Sequence, residues 1–289
     1  MSSTNYFPRV DILATHQFAK LFTEAASSLG VEVNLLDKSL PTAELCSAAK
    51  GSTALAFINI PPTLALVNSL ERDSIRCAPN AKLLSAISEK ISRNKLDNSS
   101  AGKKVQVLVA RSPHGQIASW APFSIQAELA AQTVISPTPE LSESEFELAQ
   151  NFAINIAGEI GLIGVLNVGI AFLGNLPALI DLEYGPCRKG LWTLHGAITS
   201  QFEQHIRAIL DLPLGDTSLR ANWTVTGDIE VGSKQDMYRP YLHLMARTPE
   251  LKFWQGLENS FMSISGNDLN YLKGEIEHAR LYFKGVIDE

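Results

Sequence analysis

The residues best placed to do chemistry lie between Asp181 and His205. Asp181, with Glu183 two residues along, offers carboxylates for weak cation binding. A single carboxylate leaves most of a magnesium ion's charge uncompensated, so the bland reading is a solvated acid at a strand end. Arg188 and Lys189 stand side by side in a glycine- and proline-bearing turn and could hold an anion, although a basic turn is more often simply solvated. Cys187 has no neighbour in sequence that would activate a thiolate, and reads as inert. Gln201, Gln204 and His205 carry polar atoms on a segment whose other residues are apolar.

The element that must position this group runs from Ser200 to Thr217. Ser200 followed by Glu203 is a capping-box pair, and Phe202, Ile206, Ile209 and Leu210 recur at helical spacing. Pro213 and Gly215 end the helix. Periodicity alone makes it an amphipathic core helix and assigns Gln201, Gln204 and His205 no role beyond it.

The same stretch, Thr-Ser-Gln-Phe-Glu-Gln-His with the following Leu-Pro-Leu-Gly-Asp-Thr turn, resembles the C-terminal signature of N5-carboxyaminoimidazole ribonucleotide synthetase. That family comprises ATP-grasp ligases of purine biosynthesis. The resemblance implies ATP and magnesium as cofactors, carboxylates that hold the metal, and association as a homodimer. It covers nearly all of the chain that is present, with gaps where the chemistry should sit. The family's Gly-Val-Leu-x-Val-Glu strand matches Gly164 to Val168, and its glutamate falls on Gly169. Its Asn-Glu pair falls on Ile180-Asp181, which leaves Asp181 as a weak metal candidate. Its substrate loop falls on Gly185, Pro186, Cys187, Arg188, Lys189 and Gly190, then Leu191, where only Pro186 and Gly190 are kept. The glycine-rich first turn is replaced by Ala14, Thr15, His16 and Gln17, with His16 read as a surface loop residue. The ATP-binding lid, which the family inserts after the helix leading out of its first domain, has no counterpart between Leu96 and Lys103. The family's basic hairpin near the C-terminus is shortened to Gln255–Ser260.

The rest of the chain sets the frame. Its 289 residues are 45% hydrophobic and 19% charged, enough for real cores. A net charge of −6 without a basic cluster excludes nucleic acid as a partner class. Cys46, Cys77 and Cys187 are odd in number and far apart, which indicates a reducing compartment and neither a disulfide framework nor a zinc site. No signal peptide is read at the N-terminus, and a cytoplasmic location is expected. Ile160 to Ile180 lacks charge but holds four glycines, Pro177 and two asparagines, and so reads as two buried strands rather than a membrane span.

Val10–Leu13, Phe18–Leu29, Val31–Leu36 and Ala54–Ile60 form a β-α-β unit with a further strand, which predicts a parallel sheet. Val105–Ala110 and Ile117–Phe123 predict a hairpin across Pro113-His114-Gly115. Ser142 and Glu145 open a helix that runs to Glu159. The expected fold is α/β: a Rossmann-like domain over residues 1–97, an ATP-grasp core remnant without its lid over 103–211, and a small α+β piece over 212–289. Three functional readings stay open: a working ligase, a non-catalytic binding or scaffolding subunit acting with another purine enzyme, and a folded but decaying gene product.

Overall fold

A computed structural model describes residues 7–93, 102–128, 131–229, 238–255 and 260–286. The connector at Asp97–Ala101, residues 129–130, residues 230–231, the helix start at 236–237 and the loop at 256–259 lie outside them.

The first layer is built from β1 (Arg9–Ala14), α1 (His16–Ser27), β2 (Glu32–Leu35), α2 (Thr42–Ala48), β3 (Ala54–Ile58), α3 (Leu64–Arg72), β4 (Cys77–Ala78) and α4 (Ala81–Arg93). Its sheet is all parallel, in the order β2-β1-β3-β4. Every residue of Ala-Leu-Ala-Phe-Ile in β3 is buried, as a central parallel strand covered on both faces requires. The sequence places a helix start at Pro61-Pro62, and the structure opens α3 at Thr63, whose hydroxyl accepts the Leu66 N–H and caps the helix. The prolines cannot make that bond.

The second sheet takes β5 (Lys104–Arg111), β6 (Ile117–Ser119), β9 (Gly164–Leu173) and β10 (Leu176–Tyr184) in the order β10-β9-β5-β6. The β5–β6 pairing closes the hairpin read from the sequence. The uncharged stretch from Ile160 to Ile180 is the β9–β10 hairpin, turning at Gly174-Asn175. Nine of ten residues of β9 are buried because helices cover both faces, which is why hydropathy alone resembles a membrane span. No described helix is long and apolar enough to cross a membrane. On one face lies α5 (Glu143–Glu159), whose full capping box ties Ser142 to Glu145. Lys103 also grips the Glu145 carboxylate at 2.7 Å, and with Ser142 holds that carboxyl down at about 2.

The third sheet joins β7 (Ser124–Glu128) and β8 (Ala131–Ser136) to β11 (Trp223–Ile229), β12 (Lys252–Trp254) and β13 (Ser260–Gly266), in the order β12-β13-β11-β8-β7. It therefore crosses the division drawn at residue 211 from the sequence. The short helix α6 (Thr193–Gly196), α7 (Gln201–Ile209), α8 (Tyr238–Arg247) and α9 (Leu269–Phe283) complete the described elements. Asp268 caps α9 by accepting the Asn270 and Tyr271 N–H groups.

The signature helix α7 is the joint of the molecule. Phe202, Ile206 and Ile209 pack with Phe18, Phe22, Val10 and Ile12 in one core, so α7 docks against α1 and the parallel sheet. The Phe18 and Phe202 rings lie 5.6 Å apart. Arg76 reaches from the first layer to donate to the Ile209 carbonyl at 2.8 Å, closing the C-terminal end of α7.

Candidate functional site

The polar face of α7 turns out to be a set of backbone clamps. Gln201 is fully buried; its Nε2 donates to the Cys187 carbonyl at 2.8 Å and its Oε1 accepts the Cys187 N–H at 3.0 Å. Gln204 does the same to Gly215, at 2.9 and 2.8 Å. His205 Nδ1 accepts the Val165 N–H at 3.1 Å, satisfying the backbone at the start of β9. Gln201 and Gln204 each fix one loop to the helix, and His205 ties the start of β9 to it while its Nε2 stays buried without a partner among the described residues. The sequence reading of a core helix holds for the burial of these residues and missed the clamping. The available signal was their i, i+3, i+4 spacing, which gives one polar face to a helix whose other face is already apolar.

The capping box read at Ser200 is half made. Ser200 Oγ accepts the Glu203 N–H at 3.2 Å, but the Glu203 carboxylate turns to Arg207 at 2.8 Å. An ion pair one turn ahead outcompetes the return bond to the Ser200 backbone.

The clamp on Cys187 shapes the loop that follows β10. Gly185 takes a left-handed φ of +83°, which glycine adopts without strain. A Cβ on Gly190 would stand 2.3 Å from Gln201 Oε1, so no larger residue fits there. Cys187 is 1% exposed, and burial pushes its thiol far above the usual range, next to the Glu183 charge. It is an inert thiol in the clamp, not a nucleophile.

The basic turn expected to be solvated is instead paired. Arg188 meets Asp228 of β11 at 2.9 Å. Lys189 Nζ lies 3.1 Å from Asp181 and 3.3 Å from Glu183. The solvated acid read at Asp181 is thus one partner of an ion pair. Strand alternation puts Asp181 and Glu183 on one face of β10, and the turn lays Lys189 across both. Burial works against the Lys189 charge, but Glu183 and Asp181 outweigh it and raise the ammonium above the usual lysine range.

Directly opposite Asp181 in the β9–β10 ladder is Gly169. A Cβ there would already stand 3.2 Å from the Asp181 Cβ and 3.4 Å from Gln106 Nε2. On the other side of β9, toward β5, Asn167 Nδ2 donates to Gln106 Oε1 at 2.8 Å. Among the described residues no group of three His, Cys, Asp or Glu could hold a metal ion.

A cleft of about 610 Å³ opens at the carboxyl ends of β1 and β2, beside the N-terminus of α1. Thr15, His16 and Gln17 form one wall, Lys38 and Asn59 another, and Arg188 reaches in from the clamped loop. Ligands of open α/β sheets bind at such strand ends. Thr15 occupies the cap position of α1 without a side-chain cap bond, and its Oγ1 is buried and unpartnered. His16 is exposed on the cleft rim as the first helical residue, rather than in a loop.

His205 yields a pH prediction. Burial holds its imidazole neutral in the folded chain, with the pKa lowered from 6.5 to about 3. The unfolded chain takes up a proton as pH falls through 6.5, so stability is full above that value and declines toward pH 3. By pH 5 the loss from this one group is about 2 kcal/mol. Urea midpoints measured from pH 7.5 to 5 check it: His205→Asn, which keeps an acceptor for Val165, is expected to flatten the slope over that window. An unchanged slope contradicts the assignment.

No protein-family model matches the chain. N5-carboxyaminoimidazole ribonucleotide synthase of Mycobacterium tuberculosis H37Rv is 37% identical over 156 residues, covering 52% of this chain and 36% of that relative. The enzyme of that name from Corynebacterium ammoniagenes is 38% identical over 141 residues, covering 46% and 34%. The match thus spans about a third of the curated relatives' length. The crystal structure of N5-carboxyaminoimidazole ribonucleotide synthetase from Thermus thermophilus superposes with a TM-score of 0.78 at 18% identity, over 97% of this chain and 99% of that one. The chain resembles this family in sequence and shares its mixed α/β fold of several sheets.

Proposed function

We propose that the chain is a catalytically degenerate relative of N5-carboxyaminoimidazole ribonucleotide synthetase. It acts in purine biosynthesis as a non-catalytic binding or scaffolding subunit. One observation carries this reading: where the family resemblance calls for facing carboxylates, β9 offers Gly169, and the remaining acid on β10 is engaged by Lys189. Magnesium takes oxygen ligands in a near-octahedral shell, and two carboxylates shared with an ammonium do not supply one. These residues do not fit the metal, and no phosphoryl-transfer step is assigned to them.

The connection after α4 supports the same reading. That helix ends at Arg93 and β5 begins at Lys104, which leaves no length for an ATP-grasp lid. In this view the first layer is a Rossmann-like domain and the second sheet a lidless ATP-grasp core. The cleft at the ends of β1 and β2 survives as the binding feature, with Lys38 suited to an anionic small molecule. Association as a homodimer, a second purine enzyme as partner, and a cytoplasmic setting belong to the same proposal. Sedimentation of the purified chain tests the dimer.

The ligase alternative is tested by phosphate release from ATP on adding aminoimidazole ribonucleotide and bicarbonate. None is expected above the no-substrate control. Substrate-dependent release would restore the ligase.

A further inference from the structure

We propose that the Lys189 ammonium is a built-in counter-ion that takes a divalent cation's place against Asp181 and Glu183, so that this face of the chain works without metal. The inference rests on the reading of a degenerate site and goes one step past it: the metal position is not merely lost but filled.

Three observations converge. The ammonium bridges both carboxylates, at 3.1 and 3.3 Å, rather than extending into solvent. Its side chain is 28% exposed, so water screens the pair only in part. Its position is fixed from behind, because Lys189 sits between Cys187 and Gly190, and the buried Gln201 clamp holds that loop to α7. The neighbouring cation, Arg188, is spent on Asp228 and does not compete. On the β9 side the Gln106–Asn167 amide pair adds no charge. Two carboxylates and one fixed ammonium leave a single net negative charge, a weak lure for a dication. A divalent ion would have to displace a tethered cation and would still find too few oxygens.

The test uses the metal alone, without nucleotide, so its outcome is independent of the phosphate-release assay. Free Mn²⁺ is followed by electron paramagnetic resonance against the native chain, Lys189→Met, and Lys189→Met combined with Asp181→Asn. The native chain is expected to bind no Mn²⁺ at this face. Removing one positive charge about 3 Å from the carboxylates is expected to raise affinity about tenfold or more, and adding Asp181→Asn to abolish the gain. Equal Mn²⁺ binding by the native chain and Lys189→Met, or no gain in a folded Lys189→Met, would overturn the proposal. Should that variant not fold, the native chain still decides: the Lys189 ammonium resonance, observed by nitrogen NMR, is expected to survive added Mn²⁺. Its selective broadening would place the metal beside the lysine and defeat the inference.

Discussion

Replacing Phe202 with alanine is expected to destabilise the chain by about 3–5 kcal/mol, the range for emptying a buried aromatic site. Phe202 is fully buried and lies in the one core that α7 shares with α1 and the parallel sheet. Its ring meets Phe18 at 5.6 Å, so truncation loses both the transfer term and an aromatic contact, and leaves a cavity between two layers. Asp181→Ala is the contrast. That side chain is 46% exposed and its partner Lys189 keeps Glu183, so the loss is expected to stay below about 1 kcal/mol. Urea denaturation of both variants checks the pair. Comparable losses would contradict the division between a structural helix and a dispensable acid.

The second large effect is expected at Gln201. Gln201→Leu keeps the bulk and removes both hydrogen bonds to Cys187. The Cys187 N–H is then left buried without a partner, at about 1–3 kcal/mol, while its carbonyl keeps the Gly190 N–H at 3.2 Å. With about 1 kcal/mol more for the lost bond to that carbonyl, the cost of about 2–4 kcal/mol approaches the Phe202 loss although no apolar surface is removed. Hydrogen exchange at the Cys187 amide is the specific readout. If the clamp is real, that amide loses protection in Gln201→Leu while the amides of β3 keep theirs. Protection unchanged at Cys187 would show that the loop holds itself and that Gln201 is incidental.

These two residues also mark what the sequence could and could not reveal. The apolar face of α7 was legible because Phe202, Ile206 and Ile209 recur at 3.6-residue spacing, and a single period fixes both the element and its buried side. The parallel order of β1, β2 and β3 was legible for a similar reason, since short apolar strands alternate with an amphipathic helix. β7 was missed because Ser-Ile-Gln-Ala-Glu carries too little apolar alternation to stand out, and its place is set by pairing with β8. β13 went unread although it is largely buried; its partners β11 and β12 come from on either side of α8.

At the site the limits were sharper. The resemblance implies that the family's glutamate falls on Gly169 and its asparagine on Ile180. It does not show that Lys189 folds back across eight positions to reach Asp181, or that Arg188 reaches forward to Asp228 forty positions on. Ion pairs formed through a loop depend on the path of the backbone. Here that path is set by Gln201, whose role becomes visible only once the helix and the loop are placed together.

The most direct measurement of the central claim is a calorimetric titration of the purified chain with magnesium-ATP. A multiply charged triphosphate is costly to desolvate unless cations and backbone donors replace its water. In the described residues Lys189 is committed to Asp181 and Glu183, Arg188 to Asp228, and no trio of metal-binding groups exists. The net charge of −6 adds repulsion rather than attraction at long range. The predicted result is no heat of binding with nucleotide at millimolar concentration. Saturable, magnesium-dependent binding that is removed by Asp181→Asn would contradict the account and place a working metal site where none is described.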